Sequence, residues 1–397
     1  MKPMNRGLLR RELRAALSVL AASLAAVAHA QNFNTGSDGS YGAINVTGTT
    51  NLPIPANGVF NCTTITVATG QTLGFVRNPL NTPVYLLATG DVVINGTIDV
   101  SGYNSSGSPP SGGLGGPGGF DGGMPGSDPS GVPPGSGLGP GAGKGGQNNS
   151  ASNAAGAGSY GALATGGNTT NHGVIYGSPL LIPLVGGSGG GGTTGTPGAG
   201  GGGGGGAVLI ASNTRILLVG GRVAAVAGNA SASAYNGGSG GAIRLVAPVV
   251  AGNGTLDVGG RNGGGPGRVR VDTLDRSGMN FVIYPANTTT VGGAMFLFAN
   301  PVPRLDVIQA AGTAIAEGAS APVTVVLPFG ANTNQTITVQ GRNFSGVVPI
   351  NLVLTPENGV PAVYPTQIDQ TASNPATTTV NVTFPVNVRT IINAWTR

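Results

Sequence analysis

Two carboxylates occupy the same place in two copies of one motif. Asp99 lies in Gly96-Thr97-Ile98-Asp99-Val100-Ser101-Gly102, and Asp257 lies in Gly254-Thr255-Leu256-Asp257-Val258-Gly259-Gly260. Paired acids about 5 to 9 Å apart are what glycosidic bond hydrolysis requires. The plainer reading is a pair of solvated positions on a polar ladder. A divergent copy lies between the two, with Ala224 or Ala225 in place of the acid. A mixed-charge stretch surrounds the second copy: Arg244, Arg261, Arg268, Arg270 and Arg276 with Asp257, Asp272 and Asp275. Surface ion pairing is the default expectation for such a stretch, with weak binding of a sugar acid as the sharper one. Asp99, Asp257, Arg244, Arg270 and Asp272 are therefore the candidate binding residues. No catalytic, cofactor-binding or metal-ligating residue is assigned.

Other chemistry is sparse. Of two histidines, His29 lies in the leader described below, and His172 stands alone in Thr170-Asn171-His172-Gly173. One histidine without a cysteine or acidic cluster makes neither a zinc site nor a defensible triad, so His172 is expected to be an exposed loop residue. Cys62 is the single cysteine. It can form no internal disulfide, and no basic neighbour in sequence lowers its pKa, so a buried inert thiol is expected. Stretches close to G-x-G-x-x-G, such as Gly137 to Gly143 and the run at Gly186, arise by chance at this glycine density and follow no strand of a βαβ unit. Gly118-Gly119-Phe120-Asp121-Gly122-Gly123 comes near a calcium-binding repeat, but the nine-residue period is missing. Asn-x-Ser/Thr sequons at Asn45, Asn95, Asn253 and Asn381 follow from an Asn- and Thr-rich composition.

The elements that must position these residues read as strands. Residues 31–102 alternate apolar and polar positions with β-branched residues, as in Thr63-Thr64-Ile65-Thr66-Val67, and Gly, Asn and Pro punctuate them. Val84-Tyr85-Leu86-Leu87-Ala88 leads to the first motif copy, and Ile243-Arg244-Leu245-Val246-Ala247 leads to the second. Ala207-Val208-Leu209-Ile210-Ala211 leads to the divergent copy, and Arg268-Val269-Arg270-Val271-Asp272 is a partial fourth. Repeats of about 20 to 25 residues, each a strand, a turn and a second strand, point to a stacked right-handed parallel β-solenoid. A period of two turns Ile98, Val100, Val223, Leu256 and Val258 toward a shared core and Thr97, Asp99, Thr255 and Asp257 away from it. An antiparallel sandwich with similar strands is the alternative.

Residues 103–206 form a long insertion holding forty of the 75 glycines. Gly112 to Phe120 shows a period of three, and Gly200 to Gly206 is unbroken. The bland expectation is a disordered loop. The sharper one is a set of extended polyproline-II-type chains side by side, which glycine permits because it has no side chain. Strict collagen is excluded, since the triplet period fails after a few repeats. Beyond the linker Pro301-Val302-Pro303, residues 302–397 have ordinary glycine content and longer alternating strands, among them Thr336-Ile337-Thr338-Val339 and Ile350-Asn351-Leu352-Val353-Leu354. Those features suit an immunoglobulin-like β-sandwich.

The first 30 residues carry a basic stretch (Lys2, Arg6, Arg10, Arg11, Arg14), an apolar run from Ala15 to Val27 and Ala28-His29-Ala30 before Gln31. This is the pattern of a signal peptide cleaved after Ala30. The three expected segments are therefore the leader 1–30, a body 31–300 and the domain 302–397. The whole chain has net charge +5 from 18 basic and 13 acidic residues; without the leader, 13 and 12 remain. No basic surplus is left to hold nucleic acid. The mature chain has no further apolar run near 18 residues, so no membrane helix is expected.

The chain resembles a loosely defined group of uncharacterised bacterial secreted proteins, which pair glycine-rich β-solenoid-like segments with a terminal β-domain. The matching segments are Val84 to Val92, Leu184 to Gly192 and Gly238 to Leu245. The resemblance covers most of the mature chain and brings no activity with it. The expected function is a secreted or surface-associated structural or adhesive protein without catalytic activity or cofactor, whose partners are extracellular glycans or surface proteins. A carbohydrate-binding or carbohydrate-active β-helix is the alternative, although only 5% of residues are aromatic. An inert spacer displaying the C-terminal domain is the third reading.

Overall fold

Alternating β-branched sequence with glycine turns folds as expected into strands. The computed structural model describes residues 33–396, apart from 109, 129–130, 148–153, 166–167, 196–197, 232–235, 320 and 358. The expected leader and cleavage site, residues 1–31, lie outside the described residues. Among those described there are 27 strands and one three-residue 3-10 turn, Thr169–Asn171. No helix is long and apolar enough to cross a membrane. Residues Thr35–Arg397 form one compact unit.

One parallel sheet runs through Thr50–Pro53, Thr72–Val76, Thr97–Asp99, Arg222–Ala224, Thr255–Asp257 and Val282–Tyr284. Its register places Leu73, Ile98, Val223, Leu256 and Ile283 in one column. Nine further strands form the other large parallel sheet, in which Phe60, Leu86, Ile210, Leu245 and Val271 are matched in the same way. Six of these nine close a ring of pairings. The ring closes because Val59–Val67 and Ala242–Gly252 are long enough for each to pair with two shorter strands. The inward residues of both sheets share one apolar cluster, and Ile98, Val100, Val223, Leu256 and Val258 all belong to it. In one detail the repeat differs from its reading in sequence. Val208, not Ala207, stands opposite Val84, and Val269, not Arg268, stands opposite Ile243, so the divergent copy and the partial fourth copy each enter one residue later.

The described part of 103–206 is ordered. Gly200–Gly206 is buried and is neither helix nor strand, and none of its residues has a φ in the left-handed region. An extended run of this kind has three residues per turn and no internal hydrogen bonds, so every amide and carbonyl must find a partner elsewhere. Here the partners rotate with a period of three. Gly201 and Gly204 donate to the carbonyls of Gly123 and Phe120, Gly202 and Gly205 to Asn236 and Ser239, Gly203 and Gly206 to Tyr103 and Val100. The carbonyls of Gly201 and Gly204 accept from Gly113 and Gly116, those of Gly202 and Gly205 from Gly190 and Gly187, and that of Gly203 from Gly228. Six neighbouring runs thus surround one central run. Glycine is obligatory for steric reasons: a Cβ on Gly203 would collide with the Leu114 carbonyl, and one on Gly204 with the Gly187 carbonyl. Of the two expectations for this segment, the structure takes the side-by-side extended chains.

Beyond the linker, two four-stranded antiparallel sheets enclose a second apolar cluster. One holds Arg304–Ala310, Thr313–Ala314, Asn334–Arg342 and Ala376–Thr383; the other holds Val323–Val325, Val347–Pro356, Ala362–Asp369 and Thr390–Thr396. Ile337, Val339, Ile350, Leu352 and Ile392 supply much of the core.

Candidate functional site

The five charged candidates do not form one site. Asp99 and Asp257 align across Ala224, with one strand between them, which places their backbones about 10 Å apart at ordinary strand spacing. Asp99 accepts from its own turn, the Ser101 amide at 2.9 Å. Asp257 is not solvated as expected. It is 8% exposed, and its carboxylate is held by Arg222 at 2.5 Å and the Gly259 amide at 3.0 Å. A carboxylate closed on both sides in this way is not placed to exchange a proton with substrate.

Arg244 and Asp272 are not surface partners either. Both side chains are fully buried. Asp272 accepts from Arg244 at 3.1 Å, from Arg270 at 2.6 Å and from the Ala294 amide at 3.0 Å. Arg244 also donates to the carbonyls of Leu297 (3.0 Å), Ala294 (3.3 Å) and Phe296 (2.6 Å). Burial pulls the Arg244 guanidinium below its ordinary pKa, against the opposing attraction of Asp272. An ion pair with its spare hydrogen bonds satisfied can be kept in such a place. The cluster fastens residues 294–297 over the end of the large sheet, and its role is structural.

His172 is half-buried rather than exposed, and both its ring nitrogens are buried without a hydrogen-bond partner. Cys62 is buried, and burial pushes its thiol up to about 12. No group of three or more His, Cys, Asp or Glu among the described residues could hold a metal ion. Asp121, the acid nearest a calcium-like pattern, is occupied by Arg77 and the Gly115 amide, both at 2.7 Å.

A cleft of about 380 Å³ assembles from six separate places in the chain: 77–83, 118–121, Leu138, 184–185, Thr355 and 391–395. The ring of Phe120 meets Trp395 with centroids 5.2 Å apart and planes at 60°. Both residues are half-buried, so each ring keeps part of its surface in the cleft. Asn81 fixes the Phe120 segment, donating to the Gly119 carbonyl at 2.6 Å and accepting from the Gly118 amide at 3.2 Å. Arg77 and Asp121 form a partly exposed pair beside the rings. The exposed Asn393 and the half-buried Thr355 also line it. Two polar atoms here, Trp395 Nε1 and Thr355 Oγ1, are buried without a partner. An unpaired buried donor or acceptor costs about 1 to 3 kcal/mol.

No family model, curated protein or solved structure matches this chain.

The cleft's chemistry is therefore judged on its own groups. Three larger hollows, of about 450, 490 and 510 Å³, contain no aromatic side chain. The Trp395 cleft alone among these four combines aromatic faces with planar polar groups and a balanced charge pair, the mixture that orients a small ligand. Sequence reading missed it because the segments that line it lie far apart in the chain. The one available signal was that the single tryptophan lies in the last strand, where an alternating pattern turns it to the face opposite Ile392 and the second core.

Proposed function

We propose that this chain is a secreted or surface-associated structural and adhesive protein, and that it works without catalysis. Its body is read as a right-handed parallel β-solenoid, extended on one side by the glycine lattice, and its C-terminal segment as an immunoglobulin-like sandwich. The observation that carries this reading is the central run Gly200–Gly206, bonded to six neighbouring runs through backbone groups alone. Such a lattice obtains rigidity with little apolar surface. It suits a chain that must persist where it cannot be refolded or replaced. A signal-like leader and a nearly neutral mature surface agree with export.

The test is a cell-surface binding assay on the secreted protein, with sugar release from polysaccharides assayed in parallel. Surface binding without released sugar is the expected outcome. Released sugar would overturn the non-catalytic reading and send attention back to Asp99. Absence of any surface binding would remove the adhesive part and leave a spacer.

A further inference from the structure

We infer that the Phe120–Trp395 cleft binds a neutral pyranose saccharide. The inference rests on the adhesive reading above and names the ligand class for it. Four observations converge. First, two aromatic rings, tilted at 60° and 5.2 Å apart, line the cleft, and both residues are half-buried. The face of a pyranose ring presents C–H groups, whose slight positive charge is attracted to the negative face of an aromatic ring. Second, the polar groups around the rings suit hydroxyls. Asn393 offers an amide with both donor and acceptor ends, and one oxygen of Asp121 and two nitrogens of Arg77 have no partner among the described residues. Third, the charges cancel. Arg77 and Asp121 pair at 2.7 Å, so the cleft carries no surplus positive charge to hold a uronate or sulfated sugar. Fourth, the buried Trp395 Nε1 and Thr355 Oγ1 have no hydrogen-bond partner among the described residues. A hydroxyl group or its bridging water, admitted by a small shift of the indole, supplies them.

The position fits the task. Phe120 and Asp121 are anchored in the glycine lattice, since the Phe120 amide donates to Gly187 and its carbonyl accepts from Gly204. Trp395 comes from the final strand, which pairs with Val347–Pro356. Two rigid parts thus each contribute one ring.

Trp395 is the chain's single tryptophan, so its emission reports on this cleft alone. The full secreted protein is to be titrated with the hexasaccharides of glucose (β-1,4), mannose, xylose, galactose and N-acetylglucosamine, and with trigalacturonate. Saturable change is expected with at least one neutral hexasaccharide and none with trigalacturonate. Phe120→Ala is expected to weaken that affinity about tenfold while the protein still melts cooperatively. No saturable response to any neutral probe overturns the inference, as does response to trigalacturonate alone or an unchanged affinity in Phe120→Ala. Asn393→Ala, an exposed change, provides a second variant with the same expectation. The parent reading is separated by the surface assay. If Phe120→Ala adheres to cells as well as the parent protein, adhesion stands and the cleft is not its site. If the parent protein binds a hexasaccharide but no cell surface, the cleft stands and adhesion falls.

Discussion

Single residues in this chain change meaning with burial. Arg244 and Asp272 have the composition of a binding site, yet both are sealed and spend their hydrogen bonds on residues 294–297. Their charge was legible in sequence; their depth was not, because it depends on a segment fifty residues later folding back over them. Cys62 was readable from its neighbours, since Phe60 and Ile65 flank it in an apolar strand and nothing basic lies near. Its thiol is pushed from an ordinary 9.0 up to about 12 by burial. The neutral thiol is thus favoured in the folded state, and its contribution is fully present below pH 9. As pH rises from 9 toward 12, the unfolded chain loses its thiol proton and the folded one keeps it, so stability falls. Denaturant unfolding at pH 7.5 and pH 10 is expected to show the parent losing on the order of 1 kcal/mol more than Cys62→Ala. An equal loss in both would show that the thiol titrates normally in the fold.

At the scale of elements, alternation and repeat found most of the strands. Gly-Thr-(Ile/Leu)-Asp-Val placed Ile98 and Leu256 in one column, where the register indeed aligns them through Val223. A strand's two faces differ by one residue, so a slip of one inverts the assignment. That is why the divergent copy, whose run Ala207–Ser212 is buried throughout, was read one position early. A strand apolar on both faces has no alternation to fix its phase. Leu256→Asp is expected to cost at least about 4 kcal/mol by placing an unpaired carboxylate in the shared core, and Ile98→Asp the same. Thr255→Asp, one residue away on the other face, is expected to cost less than about 1 kcal/mol. Thermal or denaturant unfolding of the three variants decides it. Comparable losses at 255 and 256 would show that the faces are assigned wrongly.

For the whole molecule, two unlike kinds of order are joined in one compact unit. Side-chain burial organises the parallel sheets and the C-terminal sheets. Backbone hydrogen bonding organises the glycine runs. The runs themselves were visible in sequence, but their spatial order was not. A glycine carries no side chain to say which run it faces, and bonds such as Gly203 to Tyr103 span about a hundred residues. The same distance concealed the Phe120–Trp395 cleft. Hydrogen exchange measures the second kind of order directly. Amides of 186–192 and 200–206 are expected to exchange as slowly as those of the core strand Ala207–Ser212. Exchange of the glycine runs at the rate of the connecting loops would show that the lattice does not persist in solution.

A central run whose successive amides point to three different neighbours obeys a counting rule. Removing one residue from Gly200–Gly206 turns everything beyond the gap by a third of a turn and sends each donor to the wrong neighbour. Removing three returns each remaining donor to its proper direction, one turn shorter. The connecting loops are under no such rule. Length changes within this run are therefore expected to be tolerated in triplets, whereas the connecting loops accept any number of residues.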